Sequence, residues 1–246
     1  MAIVLFLCAF IIWLNFIRGY PRIIRTTMLW EPPAHSPGKP LIAVIEMGCD
    51  ESFPQLWRSM GCFINELADA NIAILHYRNV TPGSIASLNP AAVILTGYHQ
   101  ELARYSQDEM HGFFEFLSQT DVPVLGICGG HQFMGLAFGS SIVGMGFEER
   151  GYFRISIRRE DPIFAGISRM PLVYDWHSLK LDRVPPGFLL LGDNEHCIQA
   201  MRHEHRPLYG VQFHPEFADR AYPDSTLMVK NFMVQAGIPL RRSSPE

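Results

Sequence analysis

The apolar positions along this chain fall into two textures, divided near Ser140. Before that point, short continuous apolar runs alternate with stretches of helical spacing. "LIAVIEM" (41–47), "NIAILHY" (71–77), "AAVILTG" (91–97) and "VPVLGI" (122–127) read as strands covered on both faces. Between the first two, residues 54–70 carry Leu56, Met60, Phe63, Ile64 and Leu67 at helical spacing. Residues 106–119 are also helical, with Ser106 and Glu109 at the spacing of a capping box. Strands alternating with helices at this interval predict βαβ units and hence a parallel sheet.

After Ser140 the segments 152–159, 172–181, 187–193 and 197–215 read as shorter, more alternating strands with tight turns. A last helix is predicted over 224–236, capped by Asp224 or Ser225 and stopped by Gly237. The pattern therefore predicts an α/β domain with a mostly parallel central sheet and a small antiparallel extension.

The N-terminus has a different character. Ala2 to Ile17 is apolar except for Asn15. As a helix it would span roughly 24 Å, a little short of the ~30 Å hydrocarbon core. Trp13 and Tyr20 suit an interface, and Arg18, Arg22 and Arg25 all follow the apolar run. No basic leader and no small-x-small cleavage site is present. The expectation is an anchor helix at residues 1–20, entering the membrane through residues 2–17, in a single-pass protein with its domain on the cytoplasmic side. An atypical signal peptide and a misplaced start codon are the alternatives. Residues 21–40 read as a Pro-rich linker, with four prolines in "WEPPAHSPGKP". The domain is expected over 41–240, and 241–246 as a disordered tail.

Composition adds exclusions. Of 246 residues, roughly 200 remain for one core once the N-terminal segment is set aside. The net charge of −4 gives no electrostatic ground for a nucleic-acid partner. The five cysteines are odd in number and form no CxxC pair, so neither a disulfide framework nor a zinc knuckle is indicated. His203 and His205 read as a polar hairpin tip, Glu148, Glu149 and Arg150 as a solvated turn, and no metal site or cofactor is expected.

The chemistry gathers at "PVLGICGGHQFMGLAFGS" (123–140). Gly126, Gly129 and Gly130 fence Cys128 at a strand-to-helix turn, a tight turn that needs residues without a Cβ. The helix N-terminus lowers a thiol pKa, and the Gly129 N–H is free to meet an oxyanion. No GxGxxG or GxxxxGK[ST] is present, so phosphate cradling is the weaker option. A thiolate needs a base, and the base an orienting group. His214 and Glu216, with Pro215 between them, stand at a strand exit. In an extended segment the two would point the same way. His131 reads as packing and His177 as a pocket wall.

"GICGGHQ" with "GVQFHPE" resembles the class I, triad-type glutamine amidotransferases. The first motif, G-x-C-x-G-x-Q, is matched by Gly126, Cys128, Gly130 and Gln132; the second, H-P-E, by His214, Pro215 and Glu216. Residues 174–217 are similar to the amidotransferase domains of GMP synthetases. The resemblance covers about 41–236 and implies a flavodoxin-like three-layer sandwich. It implies that Cys128 attacks the γ-carboxamide of glutamine, that His214 moves the proton, that Glu216 orients His214, and that a γ-glutamyl thioester is hydrolysed to glutamate. Gln132, with the backbone of Ser178 and Leu179, would bind the substrate's α-amino and α-carboxylate end. Gly97, Tyr98 and Gly129 would form the oxyanion hole. There is one departure: the family's Gly-Gly-Pro or Asn-Gly-Pro loop is here Gly97, Tyr98, His99.

The implied partners are glutamine or another γ-glutamyl amide, and an ammonia-accepting synthetase on another polypeptide, since neither an SGGxDS loop nor a P-loop is present. A stand-alone γ-glutamyl hydrolase is the alternative enzyme. A membrane-tethered binding protein that lost turnover is the alternative outside enzymes, and the intact triad argues against it.

Overall fold

The computed structural model describes residues 30–49, 55–98 and 101–242. Strands β1 (Leu41–Glu46), β2 (Asn71–His76), β3 (Ala92–Leu95) and β4 (Val124–Ile127) alternate with helices α1 (Gln55–Leu67), α2 (Pro82–Leu88) and α3 (Gln107–Gln119). These strands pair in parallel in the order β2-β1-β3-β4. β10 (Leu208–Val211) joins in parallel beside β4. β9 (Ile198–His203), β8 (Phe188–Asp193) and β6 (Ser156–Ile157) extend that edge antiparallel. β5 (Ile142–Arg154) and β7 (Leu172–Leu181) form a second, two-stranded antiparallel sheet. Helices α4 (Gly129–Ala137) and α5 (Asp224–Gln235) complete the elements used below.

Side chains of β1 alternate between two cores. Ile42 and Val44 pack with Phe63 and Ile64 of α1 and Phe232 and Met233 of α5. Ala43 and Ile45 pack with Phe113 and Phe116 of α3 and Phe133 and Met134 of α4. Helices therefore cover both faces of the sheet, which is why its strands read as unbroken apolar runs. The three layers put the carboxyl ends of β3, β4 and β10 at one rim, where ligands of open α/β sheets bind.

Local signals account for several boundaries. Ser106 Oγ accepts the Glu109 N–H at 3.2 Å, while the Glu109 carboxylate turns away to pair with Arg78 at 3.0 Å. Gly237, at a φ of +70°, follows α5. That helix starts after Pro223 with no side-chain cap, so neither Asp224 nor Ser225 has the capping role expected of it. Helix α2 was not signalled by periodicity, because only Ile85 on it is buried. Its start is nonetheless well marked: Pro82 opens it, and Thr81 and Ser84 close a reciprocal capping box at 3.0 and 2.9 Å. β5 begins at Ile142, ten residues before the expected strand, because 142–151 is glycine-rich and mostly exposed.

The expected N-terminal helix at 1–20 and the membrane segment at 2–17 lie outside the described residues. Among the described residues no helix is long and apolar enough to cross a membrane. The single-pass placement is corrected accordingly, and the run at 2–17 was itself short of a hydrocarbon core. The described part of the Pro-rich segment is fastened to the domain. Asn71 receives the Ser36 N–H at 2.7 Å and donates to the Ser36 carbonyl at 2.9 Å. Trp30 packs over Gly61 of α1 so closely that a Cβ there would overlap the indole. At the other end, the Arg241 N–H donates to the Leu67 carbonyl at 2.7 Å, and residues 243–246 lie outside the described residues.

Candidate active site

β4 enters α4 through Cys128, at φ 49° and ψ −102°. Among the described non-glycine residues only Asn89 shares a positive φ, and asparagine tolerates it. The neighbouring backbone holds the strained cysteine in place. The Cys128 N–H donates to the Val211 carbonyl at 2.8 Å, and the Gly130 N–H to the Thr96 carbonyl at 2.9 Å. A Cβ on Gly126 would stand 2.7 Å from the Gly130 carbonyl, and one on Gly130 would stand 2.7 Å from the Leu95 carbonyl oxygen. Glycine is therefore required by close approach, as the sequence implied.

β10 leads to the second half of the site. The His214 N–H donates to the Tyr174 carbonyl at 2.7 Å, and its ring stacks on Phe217 with centroids 4.6 Å apart. A 3-10 turn over Pro215–Phe217, not an extended segment, brings Glu216 back so that its Oε1 lies 2.7 Å from His214 Nδ1. The correction follows from Pro215, whose fixed φ suits the first position of a turn. Facing away from Glu216, the ring is hydrogen-bonded to Cys128. A Cβ on Gly97 would lie 3.1 Å from His214 Cε1 and 3.6 Å from Cys128 Cβ, so Gly97 floors the contact between them. Burial pulls the His214 ring down, but Cys128 and Glu216, by charge and hydrogen bond, more than offset it and push the ring up to about 10. The arrangement favours an imidazolium beside sulfur.

A cavity of about 170 Å³ opens onto Cys128, walled by Tyr98, Gln132, Trp176, His177, Ser178 and Leu179. The Tyr98 ring lies on Gly129, where a Cβ would overlap it, and the Tyr98 nitrogen stands 3.0 Å from that Cβ position. The backbone nitrogens of Tyr98 and Gly129 are thus neighbours beside the sulfur. His99 lies outside the described residues. Burial holds the Tyr98 phenol well above its usual range, so it stays a donor, and it donates to Gln132 Oε1 at 2.8 Å. Gln132 Nε2 donates to the Leu179 carbonyl at 2.8 Å and to Gln212 Oε1 at 3.1 Å. The Leu179 carbonyl also meets His177 Nδ1 at 3.1 Å. That carbonyl therefore serves the pocket wall before any substrate arrives.

Sequence reasoning missed Gln212. Its Nε2 donates to Cys128 Sγ at 3.6 Å while its Oε1 receives Gln132. The available signal was its position two residues before His214, in the same strand exit. Glu149 was also misread. Glu148 accepts the Trp176 indole N–H at 3.0 Å and Arg150 lies over that ring at 4.6 Å, but Glu149 between them is 1% exposed. The β5–β7 register sets Glu149 opposite His177. Burial pulls His177 down, but contacts with Asp175, Cys197 and Glu149 push it up to about 12. His131 is wholly buried, and burial followed by the His177 charge pushes it down to about 3. His203 Nδ1 accepts the N–H groups of His205 and Arg206 at 3.1 Å each, the hairpin tip expected.

The family model for "Glutamine amidotransferase class-I" matches residues 62–236. The chain is 37% identical over 163 residues to a subunit of the glutamine-hydrolysing GMP synthase of Pyrococcus abyssi, covering 65% of this chain and 83% of that one. It is likewise 37% identical over 153 residues to the corresponding GMP synthase subunit of Archaeoglobus fulgidus, covering 61% and 79%. Among solved structures, a Thermoplasma acidophilum protein assigned as the same GMP synthase subunit superposes with a TM-score of 0.69 at 22% identity, covering 82% of this chain and 96% of that one. A glutamine amidotransferase of Thermotoga maritima superposes with a TM-score of 0.61 at 16% identity, covering 80% and 98%. The two superpositions bear on the fold alone. A strained thiol, an imidazole–carboxylate pair and the family match converge: this chain belongs to the class I glutamine amidotransferases and is homologous to the glutamine-hydrolysing subunit of GMP synthase.

Proposed function

We propose that this chain hydrolyses the γ-carboxamide of glutamine through a Cys128 thioester and hands the ammonia to a synthetase on a separate chain. The observation that carries the reading is the contact of one imidazole, His214, with Cys128 on one side and Glu216 at 2.7 Å on the other. The thiolate attacks the γ-carbon, and the carbonyl oxygen takes up negative charge against the N–H groups of Gly129 and Tyr98. As the C–N bond breaks, the His214 imidazolium gives its proton to the leaving nitrogen. Water then gives a proton to His214 and attacks the thioester, the C–S bond breaks, and glutamate leaves. Glu216 keeps the ring in one orientation. Gln132, itself fixed by Tyr98, Leu179 and Gln212, offers its amide to the substrate's α-end.

Two features support the ammonia hand-off: the relatives are named as one subunit of a synthase, and the sequence holds neither a pyrophosphatase loop nor a P-loop. The test is mass spectrometry of the full chain after incubation with L-glutamine. A γ-glutamyl adduct on Cys128, accumulating in His214→Asn, is expected. Acylation by γ-glutamyl peptides in place of glutamine would make the chain a stand-alone γ-glutamyl hydrolase. No adduct from either would overturn the reading.

A further inference from the structure

Behind the wall of the glutamine pocket, three ligand-type side chains converge that the proposed reaction does not use. The β5–β7 register pairs Glu149 with His177, and Cys197 enters from the turn before β9. Glu149 Oε2, His177 Nε2 and Cys197 Sγ all lie within 4.8 Å of one another, and all three residues are buried. Nε2 is 3.2 Å from Glu149 Oε2, and Sγ is 3.9 Å from the same oxygen. Tetrahedral zinc, with bonds of about 2.0–2.3 Å, separates its ligand atoms by roughly 3.3–3.7 Å.

The state of the imidazole sharpens the case. His177 Nδ1 faces the Leu179 carbonyl, which can only accept, so Nδ1 carries the proton. In the neutral ring, Nε2 then turns a lone pair toward Glu149 Oε2 and, at 3.5 Å, toward Asp175 Oδ1. Neither oxygen is aligned with Nε2 for a hydrogen bond, and buried Asp175 Oδ1 accepts none among the described residues. Lone pairs that converge in this way require a cation between them: a second proton on the ring, or a metal ion.

We propose that Glu149, His177 and Cys197 bind a thiophilic divalent cation, zinc in the first place, with Asp175 as the adjacent balancing carboxylate. A proton serves one partner along one line. A metal ion serves oxygen, nitrogen and sulfur together, and a thiolate–imidazole–carboxylate set suits zinc. The Nδ1–H to carbonyl bond is the outer contact that fixes a metal-binding histidine. Binding releases the Cys197 thiol proton to solvent, together with any second proton on the His177 ring. The ion would stake Leu179, whose carbonyl also holds Gln132, and so stiffen the wall against which the amino acid packs.

The test uses the full chain carrying Cys128→Ala, so that the nucleophile cannot supply the sulfur. Purified without chelator, it should contain about one zinc per chain. After chelator treatment, added Co(II) should give the near-ultraviolet absorption of a thiolate–cobalt bond and raise the melting temperature. Adding Cys197→Ser should lower metal content at least about tenfold and abolish the absorption. If that double variant fails to fold, the cobalt spectrum of the Cys128→Ala chain decides. A folded Cys128→Ala chain with less than about 0.1 metal per chain and no cobalt–thiolate band overturns the proposal and leaves His177 with a proton.

Discussion

The Tyr98 hydroxyl donates to Gln132 Oε1 at 2.8 Å, while the ring of the same tyrosine covers Gly129. One side chain thus touches both the oxyanion backbone and the amide that would receive the substrate's α-end. Tyr98→Phe keeps the ring and removes one hydrogen bond worth about 1 kcal/mol. The expected outcome is a KM for glutamine raised about fivefold with kcat within about twofold of the parent, a ground-state loss. Steady-state kinetics separates the two. A kcat lowered about a hundredfold with KM unchanged would move the hydroxyl into the chemical step.

Glu216→Gln removes the charge that helps hold His214 as an imidazolium. The folded pKa of His214, about 10, lies above its ordinary value of 6.5. Its contribution to stability is therefore complete below 6.5 and is lost as pH rises through about 10. In the variant the alkaline limb of kcat/KM should move to lower pH, and the plateau should fall by roughly 10²–10⁴-fold. A pH–rate profile checks both. An unmoved alkaline limb would remove Glu216 from the role assigned to it.

His131 works in the opposite direction. Buried and neutral, with a folded pKa of about 3, it resists a proton that the unfolded chain accepts near 6.5. Its stabilising contribution is present above 6.5 and is lost as pH falls toward 3. Between pH 7 and pH 5 this linkage should lower stability by about 2 kcal/mol. Urea unfolding at the two pH values reads it, and His131→Leu should flatten the difference while leaving other acid-sensitive groups in place.

Gly126→Ala tests the elbow. The added methyl would press on the Gly130 carbonyl at 2.7 Å, and backbone there has nowhere to retreat. A loss of about 1–3 kcal/mol is expected, read as a lower melting temperature, together with lost turnover as Cys128 is displaced. A stable and fully active Gly126→Ala chain would show that the turn relaxes, contrary to the packing.

Much of this molecule is legible along the chain. The apolar runs that became β1 to β4, and the helical stripes that became α1 and α3, report burial through side-chain periodicity, which acts over a few residues. The glycines around Cys128 are equally local, because the turn they permit spans five residues. The proline between His214 and Glu216 marks a strand exit, though not the 3-10 turn that closes the pair.

Other features depend on register and on distant contact. Glu149 lies in a polar run that reads as solvent-exposed, and only its pairing with His177 across β5 and β7 buries it. Cys197 reaches that pair from the start of β9, and Gln212 reaches Cys128 from 84 residues away. Helix α2 was missed because it buries almost nothing. The sequence by itself determined the strands, the elbow and the triad, since hydrophobic spacing and backbone sterics are short-range. Which polar groups share a dry interior was decided by the tertiary structure alone, because strand register and sheet order join residues that no local pattern relates.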